Sequence, residues 1–341
     1  METPVVIETP LPKNEAGEVV LLLNKRGRPA SDVVIIRLSQ GCLMGATPCE
    51  PDGNILAVLP QPLLQVQSIY WTNDGAKAFF WDSGTGDIYI LDGNQGKFQV
   101  FKKEVWKSKD NFVISPDGSQ IMLEIQKGDH ETDLVSMNVQ SGDMTKFDIP
   151  DVCEKYPSQW IDNHTVLFWC EYDEGKGYLT GVTVNTLNTL TRQVQPFDLG
   201  RDWMQTSVPV FSPDRTLMAF NDDTTLVIRS VATAAEHVLS IPTESFLWST
   251  DSKWLAIFSR SKEISIARSD GSELQKIISL SENDSLQDWM WLPDNQHILL
   301  IAGDENGNER DGVVSIVDKT FIPLNLALLK DYDAVSISFR P

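Results

Sequence analysis

Residues Phe112 to Glu124 read FVISPDGSQIMLE, and the chain rewrites this stretch along most of its length. Tyr70 onward reads YWTNDGAKAFFW, Gln159 onward QWIDNHTVLFW, and Val210 onward VFSPDRTLMAF. Leu247 onward reads LWSTDSKWLAIF, and Met290 onward MWLPDNQHILLI. In each copy an apolar or aromatic segment runs into a turn bearing Asp or Asn, and a second apolar segment leaves it. Short segments rich in Val, Ile, Phe and Trp are the pattern of half-buried strands. Asp and Asn between them hydrogen-bond their own backbone and tolerate tight turns. The unit is a hairpin, and it recurs.

The turn positions are Asp74, Asp117, Asn163, Asp214, Asp251 and Asp294, spaced by 43, 46, 51, 37 and 43 residues. That period holds one four-stranded propeller blade. After Asp117 come Ile121–Ile125, Leu134–Val139 and Thr145–Ile149; after Asp251 come Trp254–Phe258, Ile264–Ala267 and Leu274–Ile278. With the strand before each turn, each unit has four strands. No long helical periodicity competes; Leu324–Leu329 is the nearest, and it is short. The expected fold is therefore all-β, a β-propeller of four-stranded antiparallel blades. Ala334–Pro341, AVSISFRP, matches a strand before a turn and then stops, while Glu18–Asn24, Val33–Leu38 and Ile55–Pro60 supply three strands without a first. One composite blade from both termini closes the ring and removes exposed edges. Seven blades are expected, with six or eight as the alternatives. Residues 1–16, rich in Pro, Thr and Glu, read as a flexible tail, and 17–341 as a single propeller domain.

Among 341 residues, 41 % are apolar and ten are Trp, ample material for a core. The formal net charge of -20 repels phosphate backbones and anionic membrane surfaces, so no nucleic acid is expected as a partner. No apolar run approaches the ~18 residues of a membrane span. The opening METPVVIETPLPKNEAG has neither a basic start nor an apolar stretch, so no signal peptide is read in the given chain. It reads as linker left behind a signal or lipid anchor, with a surface tether upstream. Cys42 and Cys49 bracket the loop CLMGATPC, and Cys153 and Cys170 flank the hairpin around Asn163. Counting outward from that turn sets Cys170 opposite Tyr156, three residues from Cys153, and a bend in the approach joins the two sulfurs. Two local disulfides suit an oxidising compartment, periplasm or cell surface; the alternative is free thiols in apolar surroundings. No CxxC pair occurs, which argues against a cysteine metal site.

The SPDG of Ser115–Gly118 and the SPD of Ser212–Asp214 resemble the signature of the TolB-like, WD40-like (PD40) repeat propellers. TNDG at Thr72–Gly75, STD at Ser249–Asp251 and LPD at Leu292–Asp294 are diverged forms, so the resemblance covers most of the chain. The copy at Trp160–Asn163 lacks Ser-Pro, the composite blade lacks the Asp turn, and the Gly-His and Trp-Asp dipeptides of the WD40 repeat proper are absent. The resemblance implies that the motif is structural. Pro sets the turn's φ, Asp accepts from turn amides, and Gly takes positive φ. Asp117, Asp214, Asp251 and Asp294 are accordingly given no functional role.

Function in a propeller is then expected on the face opposite these turns. Its loops are acidic: Asp82 with Asp87; Asp129, Glu131 and Asp133; Glu171, Asp173 and Glu174; Asp222 with Asp223; Asp304, Glu305, Glu309 and Asp311. Asp129, Glu131, Asp173, Glu174, Asp222 and Asp223 are candidate partner contacts, the alternative being solvated hairpin tips. Trp106 and Trp203 lie in segments between blades on that face and are candidate hot spots. Trp71, Trp160, Trp248 and Trp291 share one repeat position and read as inter-blade packing. In Gly303–Gly312, GDENGNERDG, the residues Asp304, Asn306, Asn308 and Asp311 offer hard oxygens near calcium-loop spacing. Ser315 stands where a bidentate Glu is expected, so a plain hairpin is the alternative.

Catalytic patterns are sparse. His130, His164, His237 and His297 fall in unrelated places, and no GxSxG elbow occurs. Oligogalacturonate lyases share this kind of propeller but gather several His on one metal, whereas His164 and His297 fall near the opposite face. The leading reading is a monomeric, non-enzymatic binding propeller with a protein partner. The alternatives are a hydrolase or lyase acting on saccharide or peptide in the central pocket, and binding of a small ligand or calcium without turnover.

Overall fold

Each rewritten stretch closes its hairpin by one chemistry. In the computed structural model, Ser115 Oγ donates to Asp117 Oδ1 at 2.7 Å, and the same oxygen accepts the Ser119 amide at 3.1 Å. Ser115 Oγ also accepts the Gln120 amide at 2.9 Å, and Gly118 supplies φ +70°. Ser212 with Asp214 and Ser249 with Asp251 repeat the pattern at the same 2.7 Å. There Arg215 and Ser252 occupy the left-handed position at φ 63° and 62°. The LPD copy has no serine. Asp294 instead accepts the Gln296 amide at 2.9 Å, and the His297 ring sits 2.6 Å from its other oxygen. One expectation is corrected: in the hairpin after Trp160 the capping carboxylate is Asp162, which accepts the His164 and Thr165 amides at 2.7 Å. Asn163 instead reaches back to the preceding sheet.

Asp117, Asp214, Asp251 and Asp294 titrate below their ordinary value. Burial pushes Asp117 up, but hydrogen bonds from Ser115 and Ser119 together outweigh it; Ser212 and Thr216 do the same for Asp214, and Ser249 and Lys253 for Asp251. A carboxylate with a lower pKa folded than unfolded stabilises the fold above the unfolded pKa, near 3.8. That contribution fades as pH falls from about 4 toward the folded pKa. The triple variant D117N/D214N/D251N should therefore melt lower at neutral pH and show a flatter loss of Tm in acid. An unchanged acid slope would assign that loss to other groups.

Among the described residues, seven four-stranded antiparallel sheets result. Six are continuous in sequence, spanning 69–102, 112–147, 154–196, 210–239, 243–279 and 284–323. The remaining sheet is composite, as expected: Tyr332–Arg340 pairs with Glu18–Lys25, followed by Ser31–Arg37 and Asp52–Leu59. The structure describes residues 18–25, 31–37, 52–59, 69–72, 75–82, 86–102, 112–128, 131–149, 153–172, 181–203, 206–304, 311–324 and 332–340. The tail 1–16, Cys42, Cys49 and Asp74 lie outside them. First strands lie against one another: Glu154–Trp160 on Phe112–Ile114, and Tyr332–Arg340 on both Asp284–Trp291 and Ile69–Trp71. They line the axis, and the composite sheet closes the circle.

The core lies between sheets, not within one. Met122 and Leu134 of one sheet pack with Trp160 and Phe168 of the next, and Ala256 and Phe258 pack with Trp289 and Leu300. The shared Trp position ties these layers. Trp160, Trp248 and Trp291 are buried, and each donates its indole N–H at 3.0 Å to a first-strand carbonyl of the preceding sheet: Val113, Val210 and Leu247. A second tie runs along the tight-turn face. The Asp117 amide donates to Asn163 Oδ1 at 3.1 Å and the Asp214 amide to Ser252 Oγ at 3.0 Å. The repeated turn thus serves its neighbour as well as itself.

Cys153 and Cys170 form a disulfide with Cα atoms 5.5 Å apart. The expected register is off by one, because Cys170 faces Lys155 and not Tyr156. A β-bulge between Pro157 and Gln159 takes up the extra residue. That bulge brings Cys170 to two residues from Cys153, close enough for the bond.

Candidate functional site

First strands leave the loop face and enter the tight turn; second strands return. The start of Glu154–Trp160 and the end of Thr165–Tyr172 therefore meet at the loop face. Their register sets Glu154 opposite Glu171 and Tyr156 opposite Trp169. Alternation puts these four side chains on one side of the sheet and Cys153, Lys155 and Cys170 on the other. The two rings stack with centroids 5.1 Å apart at 24°. Trp169 Nε1 donates to Glu171 Oε1 at 3.0 Å, and the Tyr156 hydroxyl donates to Glu154. Burial, then the hydrogen bond and charge of Glu154, push the Tyr156 phenol well above its usual range, so it stays a neutral donor. All four residues are half-buried.

The opposite side is locked. Lys155 is 1 % exposed, and its ammonium donates to the Thr132 carbonyl at 2.9 Å and the Cys153 carbonyl at 3.3 Å. Thr132 Oγ1 accepts the Lys155 amide and donates to the Lys155 carbonyl at 3.1 Å. The disulfide and this lysine fix the strand ends that carry the two rings.

The segment joining the 154–196 and 210–239 sheets forms the neighbouring wall. Its Arg201 pairs with Asp222 and, at 2.6 Å, with Glu236, while its guanidinium lies 5.4 Å from the Phe220 ring centre. Arg229 joins at 3.2 Å from Glu236 and holds the Leu199 carbonyl at 3.1 Å. Trp203 and Trp169 both pack, partly buried, on one cluster that includes Phe211 and Phe220.

The candidate residues now have places. Trp203 packs on the same cluster as Trp169 and is half-buried, so its indole has a packing role. Asp222 is engaged by Arg201 and by the Thr206 hydroxyl at 3.3 Å; Asp223 takes φ 54° in the turn that follows. Glu131 opens its strand, half-buried, and Asp133 pairs with Lys146. Asp304 ends the strand His297–Asp304, while Asp311 is buried and accepts the Ala302 amide at 3.2 Å. Trp106, Asp129, Asp173, Glu174, Asn306 and Asn308 lie outside the described residues, as do Glu305, Glu309 and His130. His164 and His297 sit at tight turns, and His237 lies against Gly271 of the next sheet. Glu154, Tyr156, Trp169 and Arg201 carry no signature in the sequence; only the strand register brings the first three together.

No protein-family model and no curated protein sequence matches the chain. Solved structures do. TolB from Acinetobacter baumannii is similar at 14 % identity and TM-score 0.53, over 97 % of this chain and 68 % of that one. A putative 6-phosphogluconolactonase from Bacteroides fragilis is similar at 10 % identity and TM-score 0.58, over 96 % and 99 %. The oligogalacturonate lyase of Vibrio parahaemolyticus is similar at 12 % identity and TM-score 0.55, over 84 % and 94 %. The chain thus has the β-propeller fold seen in TolB and in these enzymes. Among the described residues no helix is long and apolar enough to cross a membrane.

Proposed function

We propose that this chain is a non-enzymatic binding propeller that presents its acidic loop face to a protein partner outside the cytoplasm. The observation that carries the reading is the division of labour between the two faces. Carboxylates of the tight-turn face, Asp117, Asp214 and Asp251, are spent on serine hydroxyls and backbone amides of their own turns. At the loop-face end of the 154–196 sheet, half-buried rings stand beside carboxylates, on the side where Trp169 packs toward the 210–239 sheet. Aromatic side chains with a polar handle dominate binding energy at protein interfaces, and acidic surroundings steer a basic partner. The Cys153–Cys170 disulfide supports an oxidising compartment.

Affinity capture with the full chain tests this, run in parallel with W106A and W203A and with or without EDTA. A partner held by the wild type should be released at least ~10-fold more readily by W203A, since interface tryptophans commonly contribute 2 kcal/mol or more. Equal retention by both variants would remove the tryptophans from the interface. Calcium at Gly303–Gly312 is a separate proposal, supported by the hard oxygens of Asp304 and Asp311 at the two ends of that loop. Capture that fails only in EDTA would support it, and indifference to EDTA would count against it.

A further inference from the structure

We propose that Arg201 is a positioning residue of the loop-face site: it fastens the segment 197–203, and with it Trp203, onto the 210–239 sheet. The part Trp203 plays in binding rests on the function proposed above. The connection between the two sheets folds back into the seam between them. Phe197 still reaches the Val184 carbonyl through its amide at 2.9 Å, but residues 198–203 belong to no strand. Asp198 Oδ1 accepts the Gly200 amide at 2.6 Å, and Gly200 at φ +71° turns the chain. A stretch outside any strand ladder opens at low cost unless side chains hold it.

Arg201 supplies that hold across three strands. Asp222 ends Leu217–Asp222, Arg229 lies in Thr225–Ser230, and Glu236 begins Glu236–Leu239. The register sets Met218 opposite Arg229 and Arg229 opposite Glu236, and alternation puts Met218, Phe220 and Asp222 on the same side. That side faces the 154–196 sheet, because Met218 and Phe220 pack with Leu167. The Arg201 guanidinium therefore lies in the seam, forking to Asp222 and, at 2.6 Å, to Glu236, above the Phe220 ring. Arg229 completes the set, 3.2 Å from Glu236 and 3.1 Å from the Leu199 carbonyl. Side-chain exposures of 19–28 % leave these four charges partly dehydrated, where charge-assisted bonds count for more than on an open surface. Leu199 and Trp203, two residues to either side of Arg201, pack on the cluster that includes Phe220. The sheet does not need this arginine, since Leu217–Asp222 and Thr225–Ser230 share their own ladder and Phe220 and Val227 are fully buried. The segment does, and a lysine cannot reproduce the fork.

Hydrogen exchange of the full chain tests the fastening, and capture with a double variant tests what it serves. The variants are R201M, R201K and a control, R268M. Arg268 also pairs with a carboxylate, Glu273 at 2.9 Å, and lies over a ring, that of Trp254, but at the tight-turn end of its sheet. Amides of 198–203 should exchange about tenfold or more faster in R201M, less so in R201K, and at the wild-type rate in R268M. Amides of 217–222 and 225–230 should keep their protection in all three. Unchanged exchange at 198–203 in R201M would leave the hold to the apolar contacts and overturn the proposal. Protection lost through 217–230 as well would make Arg201 a structural residue of the sheet and overturn it too. With a captured partner, R201M should weaken retention, and R201M/W203A should retain it no less than W203A alone, because the arginine acts through the tryptophan. Losses that multiply in the double variant would sink the link to Trp203. Retention untouched by W203A, or no partner captured at all, would sink the binding reading above, and the exchange result would still decide whether Arg201 fastens the segment.

Discussion

Replacing Trp160 by alanine should cost about 3–5 kcal/mol, the range for emptying a buried large aromatic site. The indole is 2 % exposed and sits in the layer between the 112–147 and 154–196 sheets, among Met122, Leu134 and Phe168. Its removal opens a cavity at the joint by which one blade holds the next. It also strips the Val113 carbonyl of its donor at 3.0 Å. Trp160→Phe separates the two losses. It keeps most of the ring and forfeits the hydrogen bond, for a cost of about 1–3 kcal/mol. Urea denaturation of both variants checks this. A phenylalanine variant as unstable as the alanine variant would put the weight on the indole N–H and not on packing. The same substitution at Trp248 or Trp291 should behave alike, because each makes the same bond to the sheet before it.

Removing the disulfide is the second large effect. Cys153 and Cys170 are 17 residues apart in sequence, and closing a loop of that size stabilises a fold by about 3 kcal/mol in the chain-entropy model. C153A/C170A should lose stability of that order under oxidising conditions. Both cysteines are buried, at 1 % and 0 % exposure, so a reductant should reach them only after unfolding. Dithiothreitol added to the native protein should then leave Tm unchanged over hours, while protein refolded in reductant should melt with the variant. Rapid loss of Tm in native protein would show that the strand ends open readily. That outcome would also weaken the loop-face site, because the same strand ends carry Tyr156 and Trp169.

The turns were the most legible part of this chain. Ser-Pro-Asp at 115 and 212 encodes its own hydrogen bonds locally, so period and hairpin follow from composition alone. The shared tryptophan was legible for a related reason: a residue repeated at one position must serve a repeated contact. The composite closure could be read from three strands lacking a first at one end and a lone strand at the other. What escaped is what depends on register. The bulge at Pro157–Gln159 moves Cys170 from Tyr156 to Lys155, and a bulge leaves no mark in a string of half-buried residues. The same register decides that Tyr156 meets Trp169, so the aromatic pair was invisible while Trp106 and Trp203 stood out as isolated tryptophans. Asp222 read as a free acidic tip because its partner, Arg201, lies 21 residues away in a segment without periodicity. Capping by Asp162 was missed because two adjacent polar residues, Asp162 and Asn163, each fit a turn, and only the structure divides their tasks between the turn and the preceding sheet.

Hydrogen exchange on the captured complex tests the central claim most directly. Amides at the loop face, 153–156, 169–172, 197–203 and 222–225, should gain protection when the partner binds, and those of the tight turns, 115–119, 212–216 and 249–253, should exchange as in the free chain. Protection confined to the tight turns would contradict the functional reading of the loop face.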